Sequence, residues 1–229
     1  MREARTRRLI TVLVLIAALA LTVFLALAVY VVSRQGNVTL DVRIDNFVLT
    51  HRTGWLVTTM KTATWLGANV VLIPVVLAAA TWFSLRWGDS RSAAELAATL
   101  AGAIILYDIG KAVVHRTRPP AIYHVGYSFS GASFPSGHTT VAIAMWGMLA
   151  FLLASRAPPH TRKGLVVGAV VLTVAIGASR IYIGAHWPTD VIGGYALGGA
   201  WLAGLMALDL WMRRPAKDRM PKSAARRPG

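Results

Sequence analysis

Long apolar stretches separated by short polar ones set the pattern of this chain. Residues 9–33 (LITVLVLIAALALTVFLALAVYVVS) carry no charge, and about 20 apolar residues suffice to cross a bilayer as a helix. Arg2, Arg5, Arg7 and Arg8 precede the run, as they would in a signal peptide. A signal core, however, is only about 7–15 residues long, so the run is read as a first membrane helix. Further apolar runs at about 66–86, 94–114, 138–155, 164–182 and 190–212 bring the expected spans to six. Pro74 lies inside the second, where membrane helices tolerate a kink. The pattern predicts an all-α integral membrane protein with six transmembrane helices in one bundle over residues 9–212.

The polar connections orient the bundle. Those at 87–93 and 156–163 are short and carry Arg91, Arg156, Arg162 and Lys163. An even number of spans puts both termini on one side. The basic tails, 1–8 and 213–229, make that side cytoplasmic by the positive-inside rule, and the second tail is expected to be disordered. Segments 34–65, 115–137 and 183–189 then face outward. Within the first of these, residues 40–60 are too polar to span and are expected to lie along the outer interface. Trp82, Trp87 and Trp211 fall near expected inner ends and Trp65 and Trp187 near outer ends, as an aromatic belt would. Gly194 and Gly198 suggest close helix packing inside the bundle.

Composition agrees and narrows the function. Of 229 residues, 55% are hydrophobic and only 14% charged, against about 25% charged in soluble domains; the mean hydropathy is +0.55. The absence of cysteine excludes disulfides, thiolate catalysis and zinc–thiolate sites. A net charge of +15 would suit a nucleic-acid partner, but eleven of the 24 Lys and Arg lie in the two tails. Beside membrane helices, such tails are expected to meet anionic lipid headgroups, not nucleic acid.

Ionisable residues at helix ends in a membrane call for a functional explanation. On this topology most of them gather at the outer face. Lys111 closes the third span and is followed by HRTRPP, which contains Arg118; PSGH (Pro135, Ser136, Gly137, His138) opens the fourth; Arg180 closes the fifth; His186 and Asp190 flank the start of the sixth. Three cations at one level repel one another unless an anion sits among them, and a phosphate fits both the charge and the fork of arginine. A helix start adds free backbone N–H groups and a positive dipole end. Gly137 lets that backbone come close to the anion, and Ser136 is expected as the N-cap. Binding alone does not need two histidines and a carboxylate. Asp190 on one ring nitrogen of His186 would fix the tautomer and free the other nitrogen to attack. His138 would donate a proton to the leaving oxygen and later activate water.

Together, Lys111–(six residues)–Arg118–Pro119, Pro135–Ser136–Gly137–His138 and Ser179–Arg180–(five residues)–His186–(three residues)–Asp190 closely resemble the three signatures of the type 2 phosphatidic acid phosphatase family. The resemblance covers residues 111–190 in its motifs and most of the chain in its six-span layout. It implies a metal-independent lipid phosphatase without a cofactor, working through a phosphohistidine; with the topology above, the site is expected on the periplasmic side of a bacterial inner membrane. It assigns His186 as nucleophile, Asp190 as its partner and His138 as acid, with Lys111, Arg118, Ser136, Gly137 and Arg180 holding the phosphate. The implied substrates are lipid phosphates or diphosphates: polyprenyl diphosphate, phosphatidic acid or phosphatidylglycerol phosphate.

Other readings compete. His138, His186 and Asp190 would also make a two-histidine, one-carboxylate metal site, although Lys and Arg around them would repel a divalent cation. A phosphotransferase would use the same intermediate, and a lipid-phosphate transporter would need the cradle but no chemistry. His115 and His124 are expected to be solvated loop residues. Tyr123 and Tyr127 are candidates to line the lipid entrance, Asp108 is expected to pair with a cation one turn away, and Asp209 to be interfacial.

Overall fold

The computed structural model of the protein describes residues 2–36, 38–126 and 128–213. The tail from 214 onward, Asn37 and Tyr127 lie outside the described residues. Eight α-helices are present among them: α1 (Arg2–Ser33), α2 (Thr39–Thr50), α3 (Gly54–Trp65), α4 (Asn69–Trp87), α5 (Ser90–Val114), α6 (Gly137–Arg156), α7 (Pro159–Tyr182) and α8 (Pro188–Met212). Six of them are long and apolar enough to cross a membrane. These correspond to the six expected spans, mostly lengthened at one or both ends, because a helix continues through polar residues for as long as its backbone hydrogen bonds are unbroken.

Helix α6 is the hub and packs on α5, α7 and α8, while α1 lies along α8. The core between α4, α5 and α6 is built from Leu72, Val76, Phe83, Leu96, Leu100, Val141, Met145, Met148 and Leu152. In a bilayer this packing relies on van der Waals contact and small residues, since lipid tails are as apolar as leucine. Gly194 and Gly198 show how: a Cβ on Gly194 would stand 2.8 Å from the Ser136 carbonyl oxygen, and one on Gly198 2.3 Å from that of Thr140. The GxxxG pair therefore presses α8 against the first turn of α6 within one chain, and so brings the start of α8 beside the PSGH turn.

Both ends of the bundle are polar, in different ways. At the end where α5 and α8 begin and finish respectively, Asp209 is buried and bonds Arg91 at 2.9 Å and Arg213 at 2.7 Å, and Arg91 also reaches Glu95 at 2.8 Å. Arg156 pairs with Asp89 across the neighbouring helix ends. Asp209 is thus a clamp between helices where an interfacial residue was expected. At the opposite end lie the C-termini of α5 and α7 and the N-termini of α4, α6 and α8.

Segment 34–65 is more ordered than its polarity suggested. Residues 40–60 fall within α2, α3 and the link between them; α2 packs on α7 and α8, and α3 on α7. One face of α2 turns Asp41 and Asp45 into the protein, while Leu40 and Phe47 remain exposed on the other. The cause is electrostatic, because Asp41 finds a buried arginine (Arg116, below). Asp45 has no hydrogen-bond partner on either oxygen among the described residues. Burial, then the charges of Asp41 and Asp190, push its carboxyl up to about 7 from an ordinary 3.8. A carboxyl raised in the folded state favours folding at low pH, and that contribution is lost as pH rises through about 7. We expect Asp45→Asn to raise the thermal midpoint at about pH 8.5, with the gain shrinking towards about pH 5. A gain of equal size at both pH values would contradict the burial of a titrating carboxyl.

Candidate active site

The bundle closes three loops over one cavity of about 460 Å³, lined by Lys111 and Tyr107 of α5, Arg118, Phe129, Gly137 and His138 of α6, Arg180 of α7 and His186. Ala68, Asn69 and Val70 at the start of α4 complete its wall. Six of the eight residues expected from sequence line this wall; the other two stand behind it, Asp190 beside His186 and Ser136 next to Gly137.

Each side chain is placed by local structure. Lys111 sits in the last turn of α5, its ammonium 4.9 Å from the ring centre of Tyr107. Arg118 is fixed by the loops around it: it donates to Ser130 O at 2.9 Å and to Ala185 O at 2.7 Å. Arg180 is 6% exposed, donates to Thr64 Oγ1 of α3 at 2.7 Å and leaves its Nε without a partner among the described residues. Both guanidinium groups face the ring of Phe129, at 6.0 and 5.5 Å. None of these three cations pairs with a carboxylate among the described residues. Their charge is therefore open to an anion in the cavity.

Gly137 and His138 open α6, so their N–H groups have no acceptor within the helix and line the cavity. Tyr107 adds a second reason for Gly137, since a Cβ there would meet its ring at 3.2 Å. Ser136 occupies the N-cap position, as expected, but its hydroxyl does not cap the backbone. It is fully buried and accepts from Thr139 Oγ1 at 2.9 Å, while its own N–H donates to Asp190 O at 3.0 Å. Its place is the joint between α6 and α8.

His186 is 2% exposed, on the loop between α7 and α8. Its Nε2 lies 3.3 Å from Arg118 Nη1. An arginine only donates, so Nε2 is the unprotonated nitrogen, its lone pair turned to that guanidinium, and Nδ1 carries the proton. Nδ1 faces Asp190 Oδ2 at 3.5 Å and the Ser133 hydroxyl at 3.4 Å. Burial, followed by the positive charges of Arg180, Arg118 and Lys111, holds the imidazole well below its ordinary range. The ring is therefore neutral, as a nucleophile must be. Burial likewise lowers Arg118, with Asp190 opposing the shift.

Asp190 is saturated with donors. Its Oδ2 accepts from the Ser133 hydroxyl, and from the Trp187 N–H at 2.9 Å. Its Oδ1 accepts from Arg116 Nη1 at 2.6 Å. The carboxylate does not line the cavity, so His138, His186 and Asp190 do not converge as the alternative metal site would require.

Arg116, Asp41, Ser133 and Thr189 were not singled out in the sequence. Arg116 stands inside the HRTRPP segment, two positions before Arg118, and the Lys111–Arg118–Pro119 spacing that marks Arg118 passes over it. Trp187 is not a belt residue: it is buried, and its Nε1 donates to Thr117 O at 3.0 Å. Tyr123 is also buried, with its hydroxyl donating to Asn46 at 2.8 Å, and so does not line an entrance. Asp108 is exposed and makes no ion pair with Lys111 among the described residues. His115 is exposed, whereas His124 is half-buried and bonds Pro119 O at 2.9 Å.

Comparison with known proteins meets this geometry. The chain is 31% identical over 165 residues (69% of this chain, 77% of the other) to phosphatidylglycerophosphatase B of Bacillus subtilis. It is 26% identical over 189 residues (80% of this chain, 85% of the other) to an undecaprenyl-diphosphatase of Sulfolobus acidocaldarius. The fold matches the crystal structure of a transmembrane PAP2 type phosphatidylglycerolphosphate phosphatase from Bacillus subtilis with a TM-score of 0.77 at 26% identity, covering 86% of this chain and 98% of that one. The family model of the PAP2 superfamily matches residues 92–214, which include every residue of the cavity's cationic wall and both histidines; this chain belongs to the PAP2 superfamily.

Proposed function

We propose that this protein is a membrane phosphatase that removes phosphate from a lipid phosphate or diphosphate through a phosphohistidine at His186. The observation that carries the reading is the joint placement of Lys111, Arg118 and Arg180 around a cavity that a neutral, buried His186 also lines, its unprotonated nitrogen beside Arg118. In the first step the Nε2 lone pair forms a bond to phosphorus as the bond from phosphorus to the lipid oxygen breaks. His138 donates a proton to the departing oxygen. In the second step water takes the place of that oxygen: His138 accepts its proton, the phosphorus–oxygen bond forms and the phosphorus–nitrogen bond breaks. The three cations and the first N–H groups of α6 stabilise charge on the equatorial oxygens, which is where it concentrates. Asp190 and Ser133 hold the imidazole proton on Nδ1 and favour the cationic ring that forms.

The cavity lies at the end of the bundle that the basic tails leave on the outer side, with 1–8 and 213–229 cytoplasmic and 9–212 forming the catalytic domain. A substrate headgroup reaches it from the outer leaflet of a bacterial inner membrane. The names of the relatives support a phosphoryl lipid, and we rank polyprenyl diphosphate first, ahead of phosphatidylglycerol phosphate and phosphatidic acid. The test is phosphate release by the purified protein on each of these three lipids, with and without excess EDTA. Release on at least one lipid that survives EDTA is expected. A silent panel, or activity lost to the chelator and restored by a divalent metal, would overturn the proposal.

A further inference from the structure

Arg116 is 3% exposed and lies between two carboxylates, Asp190 at the site and Asp41 on the outer helix α2, each at 2.6 Å. Its remaining donors reach Thr189 Oγ1 at 2.7 Å and Gly36 O at 3.0 Å. Thr189 closes the ring, because its N–H and hydroxyl both donate to Asp41, at 2.9 and 2.6 Å. Asp41 and Asp190 are both fully buried. A buried charge without a partner is costly, and one whose lone pairs and protons are all engaged is held in a single geometry.

We propose that Asp41 and Arg116 are positioning residues for the reaction at His186, acting through Asp190. The inference rests on the reading that Asp190 steadies His186. An arginine paired with Asp190 alone would cancel its charge beside the imidazole. Sharing the arginine with Asp41 leaves the three groups with one net negative charge, next to the ring that becomes cationic as phosphorus bonds to Nε2. The fork of Arg116 spans the two carboxylates, Nη1 on Asp190 Oδ1 and Nη2 on Asp41 Oδ2, and so fixes Oδ1 and leaves Oδ2 turned towards Ser133 and His186. Helix α2, which crosses no membrane, is by this account part of the catalytic apparatus.

The test is a mutant cycle on the purified protein, reading kcat and KM for the best lipid substrate. Asp41→Asn keeps the shape of the side chain and an acceptor for the Thr189 N–H, but removes the surplus negative charge. It is expected to lower kcat about tenfold, in the range of coupling between contacting charged residues, with KM within about twofold of wild type. Adding it to Asp190→Asn should slow that variant no further. Arg116→Lys, which retains a positive charge but not the fork, should follow the same pattern and supplies the cycle if Asp41→Asn does not yield folded protein. Multiplicative losses in the double variants, or a loss confined to KM, would overturn the inference while leaving Asp190 in its role. Wild-type turnover in Asp190→Asn alone would instead sink the reading on which it rests.

Discussion

Substitution of His186 by alanine is expected to reduce turnover below about one ten-thousandth of the wild-type rate, because removal of a nucleophile leaves only the binding and electrostatic terms. The protein should stay folded. His186 is buried but on a loop, it belongs to neither of the main apolar clusters, and its removal relieves an imidazole that burial and three cations already hold neutral. The variant should therefore still bind inorganic phosphate or vanadate in the cavity, with affinity read from inhibitor-dependent thermal shifts. Loss of turnover together with loss of the folded state would say nothing of chemistry, so the two must be measured on one preparation. Turnover near the wild-type rate in a folded His186→Ala protein would remove the nucleophile assignment altogether.

Arg180→Met carries the second large expectation, in opposite directions for activity and stability. Arg180 is buried among like charges and, among the described residues, has a hydrogen bond to Thr64 and no partner for its Nε. An arrangement of this kind costs folding energy and is kept because an anion completes it. Losing one preorganised donor to a phosphoryl transition state costs about 10²–10³-fold, and kcat/KM should fall by that much. In phosphate-free buffer the variant should melt at a temperature equal to or above that of wild type, since the methionine fills similar space without the charge. Added phosphate should raise the wild-type midpoint and leave that of the variant nearly unchanged. A variant that melts much lower than wild type in phosphate-free buffer would show that Arg180 is chiefly a structural residue.

Much of this site was legible because its parts are local. Lys111, Arg118, Gly137, His138, Arg180 and His186 sit at the ends of apolar runs, and in an antiparallel bundle such ends meet at one level. Arg116, Ser133 and Asp41 were not legible for the opposite reason. Arg116 stands two positions from Arg118, and only the three-dimensional path of the 115–118 segment decides which guanidinium faces the cavity and which turns to Asp190. Asp41 lies 75 positions from the arginine it holds, in a segment set aside as interfacial because it is too polar to span. The available signal was the pair Asp41 and Asp45, four apart and so on one face of a helix. Two acids on one side of an otherwise amphipathic segment point to a buried partner. Ser136 shows a different limit: its position at the head of α6 followed from the pattern, but the direction of its hydroxyl depends on α8 packing against that turn through Gly194 and Gly198.

The central claim is that phosphate passes through a covalent bond to His186, and a rapid acid-free quench with substrate labelled in the transferable phosphate tests it most directly. Protein stopped within the first turnover in strong base should carry label on the peptide containing residue 186, stable to base and lost in acid as a phosphoramidate is, and no label should appear in His186→Ala. Turnover at full rate with no labelled protein at any time, or label residing on another residue, would contradict the account.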